Sequence, residues 1–373
     1  MQFNDLGRQY ERIKADVDKA VLSVMAEGCF ILGPPVKALE ERLAAFAGRR
    51  FCVSCSNGTD ALTMSLRAMG VGNGDAVFTT AFSFFATAEA IVQAGAVPVF
   101  TDACVDTFNM DSKSLEGKIK KVLKEGKLTP KAVLPVDLFG LPADYHTLES
   151  IAKQYGLLML EDGAQGFGGV YDGKRACSFG EVSTTSFFPA KPLGCYGDGG
   201  AIFTDDESIA EHLESLRHHG KGQEKYDNVR FGLNARLDTM QAAILHCKLD
   251  VFEDEVQKRQ WAADLYTILL KDDIQKPYVP ENSQSVWAQY TIKTKSASHR
   301  EALMKKLKEQ GIPSMVYYPK PLHLQTAFAP MSYTADMYPV ASDLAQRVLS
   351  LPMHPYLTEA EIHHVAEQVN KAY

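Results

Sequence analysis

The sequence lacks an apolar run long enough to span a membrane, which takes about 20 residues. It also lacks the basic start and apolar segment of a secretory signal. The net charge is −7, so no basic face for nucleic acid is expected. We therefore predict a cytoplasmic protein that binds neither membranes nor nucleic acid.

Cysteine is sparse as well, with seven residues and only one CxxC pair, Cys52 and Cys55. A cysteine metal site needs further ligands, and no cluster of histidine and cysteine supplies them. We interpret the pair as core residues of an apolar strand. The odd number of cysteines indicates free thiols in a reducing compartment, and no bound metal is expected.

The common nucleotide-binding loops are missing too. The glycines at positions 70, 72 and 74 follow a helical pattern and do not match G-x-G-x-x-G. No G-x-x-x-x-G-K-[ST] stretch occurs. These absences exclude a dinucleotide fingerprint and a P-loop.

Short apolar segments that alternate with helical patterns dominate the rest of the chain. This alternation predicts an α/β fold with a largely parallel sheet covered on both faces. A chain of 373 residues is too long for one small core. We predict a large domain at residues 1–250 and a smaller α+β domain at 251–373, in which residues 314–319 form a strand.

One lysine stands out, Lys191, within residues 186–203. It follows an apolar, strand-like pair, Phe187 and Phe188, and precedes a turn rich in glycine. Restricted freedom and little water would lower the pKa of such a lysine, as a Schiff base with an aldehyde cofactor requires. A surface lysine in a glycine-rich hairpin is the alternative.

Polar turns follow other predicted strands. Residues 56–59 lead into a helix and offer backbone amides for a phosphate, or a simple helix cap. Asp162, with Gln165 one turn later, ends another strand. That carboxylate suits a helix cap, a metal ligand or a partner for a cationic heterocycle. Because active sites of parallel sheets form at the carboxyl ends of strands, these turns should converge.

Seven motifs together resemble the DegT/DnrJ/EryC1 sugar aminotransferases, which are pyridoxal 5'-phosphate enzymes with the aspartate aminotransferase fold (fold type I). The resemblance covers nearly the whole chain. The motifs lie at residues 56–62, 82–91, 160–168, 186–201, 232–244, 318–325 and 349–358. The resemblance implies a seven-stranded, mostly parallel sheet in the large domain.

The resemblance also implies roles for single residues. Lys191 would form the Schiff base and move a proton between the amino-acid carbon and the cofactor carbon. Asp162 would pair with the pyridinium nitrogen. The other implied cofactor contacts are Gln165 at the ring's 3-oxygen, Phe84 on the ring face, Ser186 with the amides of Gly58 and Thr59 at the phosphate, and Asn234 at the phosphate of the neighbouring subunit. That last contact implies a homodimer in which residues 217–234, read as a mobile loop, cover the partner's site.

The implied reaction moves an amino group from an amino acid, by family habit L-glutamate, to a nucleotide-linked ketosugar. The motifs look most like enzymes that aminate C3 of a UDP-3-keto-N-acetylglucosaminuronate for O-antigen synthesis. Arg230 is the candidate cation for the uronate carboxylate, or else a solvated loop charge. Where many relatives have His-Tyr-Pro, this chain has Tyr317, Tyr318 and Pro319.

The sugar contacts stay open in the sequence. Tyr317 and Tyr318 are candidates, and His323 would either contact the sugar or have a structural role. A dTDP- or GDP-linked 3- or 4-keto-deoxysugar is an alternative substrate. A non-catalytic regulator with this fold is a remote alternative, because no basic helix-turn-helix precedes the fold.

Overall fold

Helices and strands alternate along the computed structural model, which describes residues 1–224 and 226–373. The helices are α1 (Leu6–Glu27), α2 (Pro34–Ala47), α3 (Gly58–Ala68), α4 (Phe85–Gln93), α5 (Ser112–Glu125), α6 (Tyr145–Tyr155), α7 (Glu207–Arg217), α8 (Thr239–Leu269), α9 (Ala297–Glu309), α10 (Pro339–Arg347) and α11 (Glu359–Ala372). The strands are β1 (Phe51–Cys55), β2 (Asp75–Thr80), β3 (Val97–Thr101), β4 (Thr129–Leu134), β5 (Leu158–Asp162), β6 (Val170–Tyr171), β7 (Lys174–Arg175), β8 (Val182–Ser186), β9 (Gly200–Thr204), β10 (Ser283–Gln284), β11 (Tyr290–Lys293) and β12 (Val348–Leu351).

A seven-stranded sheet with the order β1-β9-β8-β5-β4-β2-β3 forms the centre of the fold. Strands β8, β5, β4, β2 and β3 run parallel to one another, and β9 runs antiparallel between β1 and β8. The predicted α/β class with a mostly parallel seven-stranded sheet is confirmed. Because β5 and β8 are adjacent and parallel, Asp162 and Ser186 end at the same edge.

The strand before Lys191 differs from its prediction. It is β8, which ends before Phe187 and Phe188, so the apolar pair does not form the strand. All five residues of β8 are buried although four carry hydroxyl groups. Two of those hydroxyls donate to carbonyls of the neighbouring segment, Thr184 to Glu161 O and Thr185 to Gly163 O, both at 3.2 Å. Satisfied hydroxyl groups can be buried at little cost.

Helix ends follow their local sequence signals. Helix α2 starts with Pro34 in its first turn and stops at Gly48, whose φ of 73° favours glycine. Helix α11 starts with a capping box in which Thr358 and Glu361 satisfy each other's backbone N–H groups. The cysteines Cys52 and Cys55 lie buried and unpaired in β1, as predicted.

The C-terminal part is built around the antiparallel pair β11 and β12, and α11 packs against both α8 and α9. The predicted strand at 314–319 is wrong: only Met315 forms an isolated bridge, with Ser350. The segment turns away so that Tyr318 packs near Phe82 and Phe84. The boundary between residues 250 and 251 stays a prediction and falls inside the continuous helix α8.

The first residues connect Lys191's segment to the C-terminal part. Asn4 Nδ2 donates to Ala190 O at 3.2 Å, and Met353 N donates to Phe3 O at 3.2 Å. Arg8 pairs with Glu361, with Nη2 at 2.9 Å from Oε1. Within the described ranges, no helix is long and apolar enough to cross a membrane, and no group of acidic, histidine and cysteine side chains could hold a metal ion.

Candidate active site

A cradle for an anion forms where β1 leads into α3. Asn57 caps the helix, because its Oδ1 accepts from Asp60 N at 2.8 Å. In the described chain, no carbonyl or side chain accepts from the N–H groups of Gly58 and Thr59. Ser186 closes the cradle, since a Cβ on Gly58 would lie 2.7 Å from the Ser186 Cβ. The capping interpretation is therefore correct, and it leaves two amides available for a phosphate.

Lys191 lies in a tight turn next to this cradle. Its N–H donates to Phe188 O at 2.8 Å. The same turn requires a glycine at position 194, because a Cβ on Gly194 would lie 2.6 Å from the carbonyl oxygens of Phe188 and Pro189. Burial lowers the pKa of the Lys191 ammonium, while the charge of Asp162 works in the opposite direction. The result is a lysine whose amine is more readily deprotonated, the form that attacks an aldehyde.

Asp162 is 4% exposed at the end of β5. Its Oδ2 accepts from Thr87 Oγ1 at 2.9 Å, and its Oδ1 accepts from Ala164 N at 3.2 Å. Burial raises the pKa of Asp162, whereas these two bonds and the charge of Lys191 oppose that rise. The carboxylate is thus held by donors that favour its charged form.

Gln165 is fixed at both ends of its amide. Its Oε1 accepts from Phe139 N at 2.8 Å, and its Nε2 donates to Tyr318 OH at 3.0 Å. Phe139 adopts a positive φ of 60° to make this bond. Phe84 stands at the start of α4, half exposed, with its ring 6.0 Å from that of Tyr318. The C-terminal part of the chain therefore helps to build the site.

Two candidates lie elsewhere in the chain. Asn234 is exposed, bridges to His218 and accepts from Arg236. Arg230 is exposed. Burial lowers the pKa of His212, and the positive charge of Arg230 lowers it further. Within the described chain, no hydrogen bond or ion pair joins Asn234 or Arg230 to Lys191. Lys225, in the same predicted loop, lies outside the described residues.

His323 packs against aromatic rings, away from solvent. It is 2% exposed, and its ring centre is 4.7 Å from that of Tyr338. Burial lowers the pKa of His323 to about 4, so it stays neutral. This surrounding favours the structural alternative. Tyr317 is half-buried, with its ring 6.2 Å from that of Phe3.

Sequence reasoning missed two buried polar residues near Asp162. Thr87 lies in the motif at 82–91, where a hydroxyl in an otherwise apolar first turn is the only signal. Asp137 follows β4 and is fully buried. Like Asp162, Asp137 is a carboxylate after a predicted strand, in the segment at 131–140. The same signal could therefore have identified it.

These groups fit pyridoxal 5'-phosphate. The amides of Gly58 and Thr59 and the hydroxyl of Ser186 suit its phosphate, and the lysine amine suits its aldehyde. The carboxylate of Asp162 suits its ring nitrogen. The donor set thus covers the phosphate, the aldehyde and the ring nitrogen of the cofactor.

Comparison with known proteins agrees with this assignment. A 45% identical relative from Pseudomonas aeruginosa (strain PAO1), the "UDP-2-acetamido-2-deoxy-3-oxo-D-glucuronate aminotransferase", aligns over 97% of both chains. A "pleiotropic regulatory protein" from Geobacillus stearothermophilus is 43% identical over 99% of this chain and 97% of its own. A solved aminotransferase from Brucella abortus is 48% identical, with a TM-score of 0.96 over 100% of this chain and 99% of that one.

The profile of one family, the "DegT/DnrJ/EryC1/StrS aminotransferase family", matches residues 11–370. That match spans the anion cradle, Lys191, Asp162 and the C-terminal residues that complete the site. The chain belongs to this family of aminotransferases, and its cofactor is pyridoxal 5'-phosphate.

Proposed function

We propose that the protein transfers an amino group from L-glutamate to C3 of UDP-2-acetamido-2-deoxy-3-keto-glucuronate. The product would serve the synthesis of O-antigen or another surface polysaccharide. The observation that carries this proposal is the 45% identical relative named for that sugar, aligned over nearly the full length of both chains. All seven cysteines are free, which supports a reducing, cytoplasmic setting.

Some residues of the site bind the cofactor, and one residue transfers a proton. When bound, the cofactor would supply an electron sink for the substrate carbon and a carbon that carries the amino group between the two substrates. Lys191 Nζ, with a pKa lowered by burial, takes and returns the proton at the substrate carbon. Asp162 would pair with the ring nitrogen, and the cradle at Gly58 would hold the phosphate. The amino acid leaves as a 2-oxo acid and the keto group becomes an amine.

The proposal is tested with the enzyme in its pyridoxamine form. This form is offered UDP- and dTDP-linked 3- and 4-ketosugars, and return of the visible cofactor band is followed together with the product's mass. We expect the UDP-3-keto-uronate to react fastest. A dTDP- or GDP-linked deoxysugar that reacts faster would replace the proposed substrate.

A second candidate function, a non-catalytic regulator, is favoured by the names of two relatives, the "pleiotropic regulatory protein" from Geobacillus stearothermophilus and a "sensory transduction protein" from Saccharopolyspora erythraea. The partly buried Lys191, whose charge interacts with that of Asp162, supports catalysis instead. We expect wild-type protein to show a visible band that borohydride removes, and Lys191→Ala to lack it. Tight cofactor binding without amino transfer to any ketosugar would favour the regulator.

The protein is further proposed to act as a homodimer with shared sites. Asn234 is exposed on its own protomer, and Phe231 in the same loop is 98% exposed, as expected of residues that another chain covers. In the proposed dimer, Asn234 would contact the phosphate held in the partner's cradle. Two residues of one site would then come from two chains.

Subunit mixing tests this arrangement. Lys191→Ala and Asn234→Ala proteins should each be nearly inactive. Refolded together, they should recover about a quarter of wild-type activity, since half of the dimers would be hybrids with one intact site. Absence of recovery, or a monomer in analytical ultracentrifugation, would contradict the shared site.

A further inference from the structure

Thr87 is buried in the first turn of α4, where it is 1% exposed. Its Oγ1 donates to Asp162 Oδ2 at 2.9 Å. The same Oγ1 lies 3.1 Å from Ser83 Oγ, which is 2% exposed. Since Thr87 uses its proton on Asp162, Ser83 must be the donor in the other bond. Two hydroxyl groups therefore form a short chain that ends on the carboxylate.

We propose that Thr87 is a positioning residue for Asp162, and that its hydroxyl, oriented by Ser83, keeps the carboxylate ionised for the cofactor's ring nitrogen. This inference rests on the proposed role of Asp162. Thr87 itself touches neither Lys191 nor the phosphate cradle in the contacts described above. Its influence on the reaction passes through Asp162 alone.

The electrostatics of Asp162 explain why this bond matters. Burial, the largest influence, raises the pKa of Asp162. The Thr87 bond is the strongest influence in the opposite direction, ahead of the Ala164 N–H and the charge of Lys191. The contribution of Lys191 is weak support, because burial also disfavours its own charged form. The hydroxyl does not change charge with pH, so its support persists.

Other titratable groups interact electrostatically with Asp162. Lys191 and Asp137 interact with its charge directly. Cys177 and Tyr318 are influenced by it, and burial raises the pKa of both. All four residues are present in both a Thr87 variant and wild-type protein. A comparison of the two at each pH therefore isolates the effect of the Thr87 hydroxyl.

Two substitutions separate the hydroxyl from the shape of the side chain. Thr87→Val keeps the branched shape and removes the donor, while Thr87→Ser keeps the donor and removes a methyl group. Ser83→Ala removes only the orienting bond. We expect the dissociation constant of pyridoxal 5'-phosphate, measured by equilibrium dialysis, to rise about tenfold or more in Thr87→Val, as expected for a lost bond to a charged group.

The pH dependence distinguishes positioning from a structural role. Without its donor, Asp162 should take up a proton at higher pH than in wild-type protein. The ratio of the two dissociation constants should therefore grow as pH falls, and the cofactor's visible band should shift with it. Effects of pH on the phosphate itself cancel in the ratio. Thr87→Ser should stay within about threefold of wild type, and Ser83→Ala should shift in the same direction as Thr87→Val but less.

Three results would overturn the inference. These are a ratio for Thr87→Val that does not vary with pH, equal losses in Thr87→Val and Thr87→Ser, and unchanged cofactor affinity in Thr87→Val. Circular dichroism and the melting temperature of the apoprotein check folding, and Ser83→Ala decides the question if Thr87→Val does not fold. Asp162→Asn is measured in parallel: if it also binds the cofactor like wild type, the proposed role of Asp162 fails rather than that of Thr87.

Discussion

Asp137 and Glu161 place two carboxyl groups side by side in the core, both fully buried. Glu161 accepts from the N–H groups of Cys177 and Phe179, and Asp137 accepts from Tyr145 OH at 2.6 Å. In the described chain, Asp137 Oδ2 has no N–H or O–H donor. Like charges in contact cannot both persist away from water, so the pair must hold a proton.

This pair predicts that the protein loses stability as pH rises. Burial raises the pKa of Glu161, and it raises that of Asp137 to about 7. Above about pH 4 the unfolded chain releases protons that the folded chain keeps, so the free energy of unfolding falls until pH passes the folded-state pKa. Asp137→Asn should reduce this slope by up to about 1.4 kcal/mol per pH unit.

Urea denaturation at about pH 5, 6, 7 and 8, at fixed protein concentration, measures this slope. Asp272→Asn is the control, because Asp272 is fully exposed and should leave the slope unchanged. A difference between wild type and Asp137→Asn that is constant across pH would contradict proton sharing.

Gly58→Ala should weaken cofactor binding by about tenfold or more, because the new Cβ would lie 2.7 Å from the Ser186 Cβ. The clash opens the cradle between the helix amides and the serine hydroxyl. Fluorescence titration of the apoprotein with pyridoxal 5'-phosphate measures the loss. Gly117→Ala in α5 is the matched control, since nothing lies within 4 Å of its Cβ. Equal affinities in the two variants would place the phosphate elsewhere.

Tyr318→Phe should lower kcat/KM about fivefold, because Gln165 Nε2 loses the acceptor of a neutral hydrogen bond. Burial raises the pKa of Tyr318, so the phenol stays protonated at neutral pH and the loss should not vary between about pH 6 and 9. Tyr155→Phe is the control. It removes a hydroxyl that donates to Glu116, and it should leave kcat/KM unchanged. Wild-type kinetics in Tyr318→Phe would show that Gln165 needs no such support.

Arg230→Ala should raise KM for a UDP-3-keto-uronate about tenfold or more and change KM for the sugar without the carboxylate little. The reason is the loss of a charge-assisted hydrogen bond that only the uronate can accept. Lys221→Ala removes another positive charge from the same loop and serves as the control. An equal increase in KM for both sugars would contradict a role of Arg230 in binding the carboxylate.

The sheet and the Lys191 turn could be predicted because their signals are local: apolar segments of strand length, helix caps and glycines. Strand β8 could not, since its hydroxyl residues look like a loop until their partners on β5 are known. The segment at 314–319 has a strand's composition, yet aromatic contacts with Phe82 and Phe84 decide its course. Pairs such as Thr87 with Asp162 join residues 75 positions apart, which no local pattern reveals.

The contacts of the first residues decide when during synthesis the site can form. Asn4 supports the segment of Lys191, but Phe3 and Arg8 are held in turn by Met353 and Glu361. These partners leave the ribosome more than three hundred residues later, and contacts so distant in sequence form late. Nascent chains therefore carry Lys191, from its synthesis until these partners emerge, in a turn that lacks part of its support. Activity in the cell should begin only after the final helix has emerged.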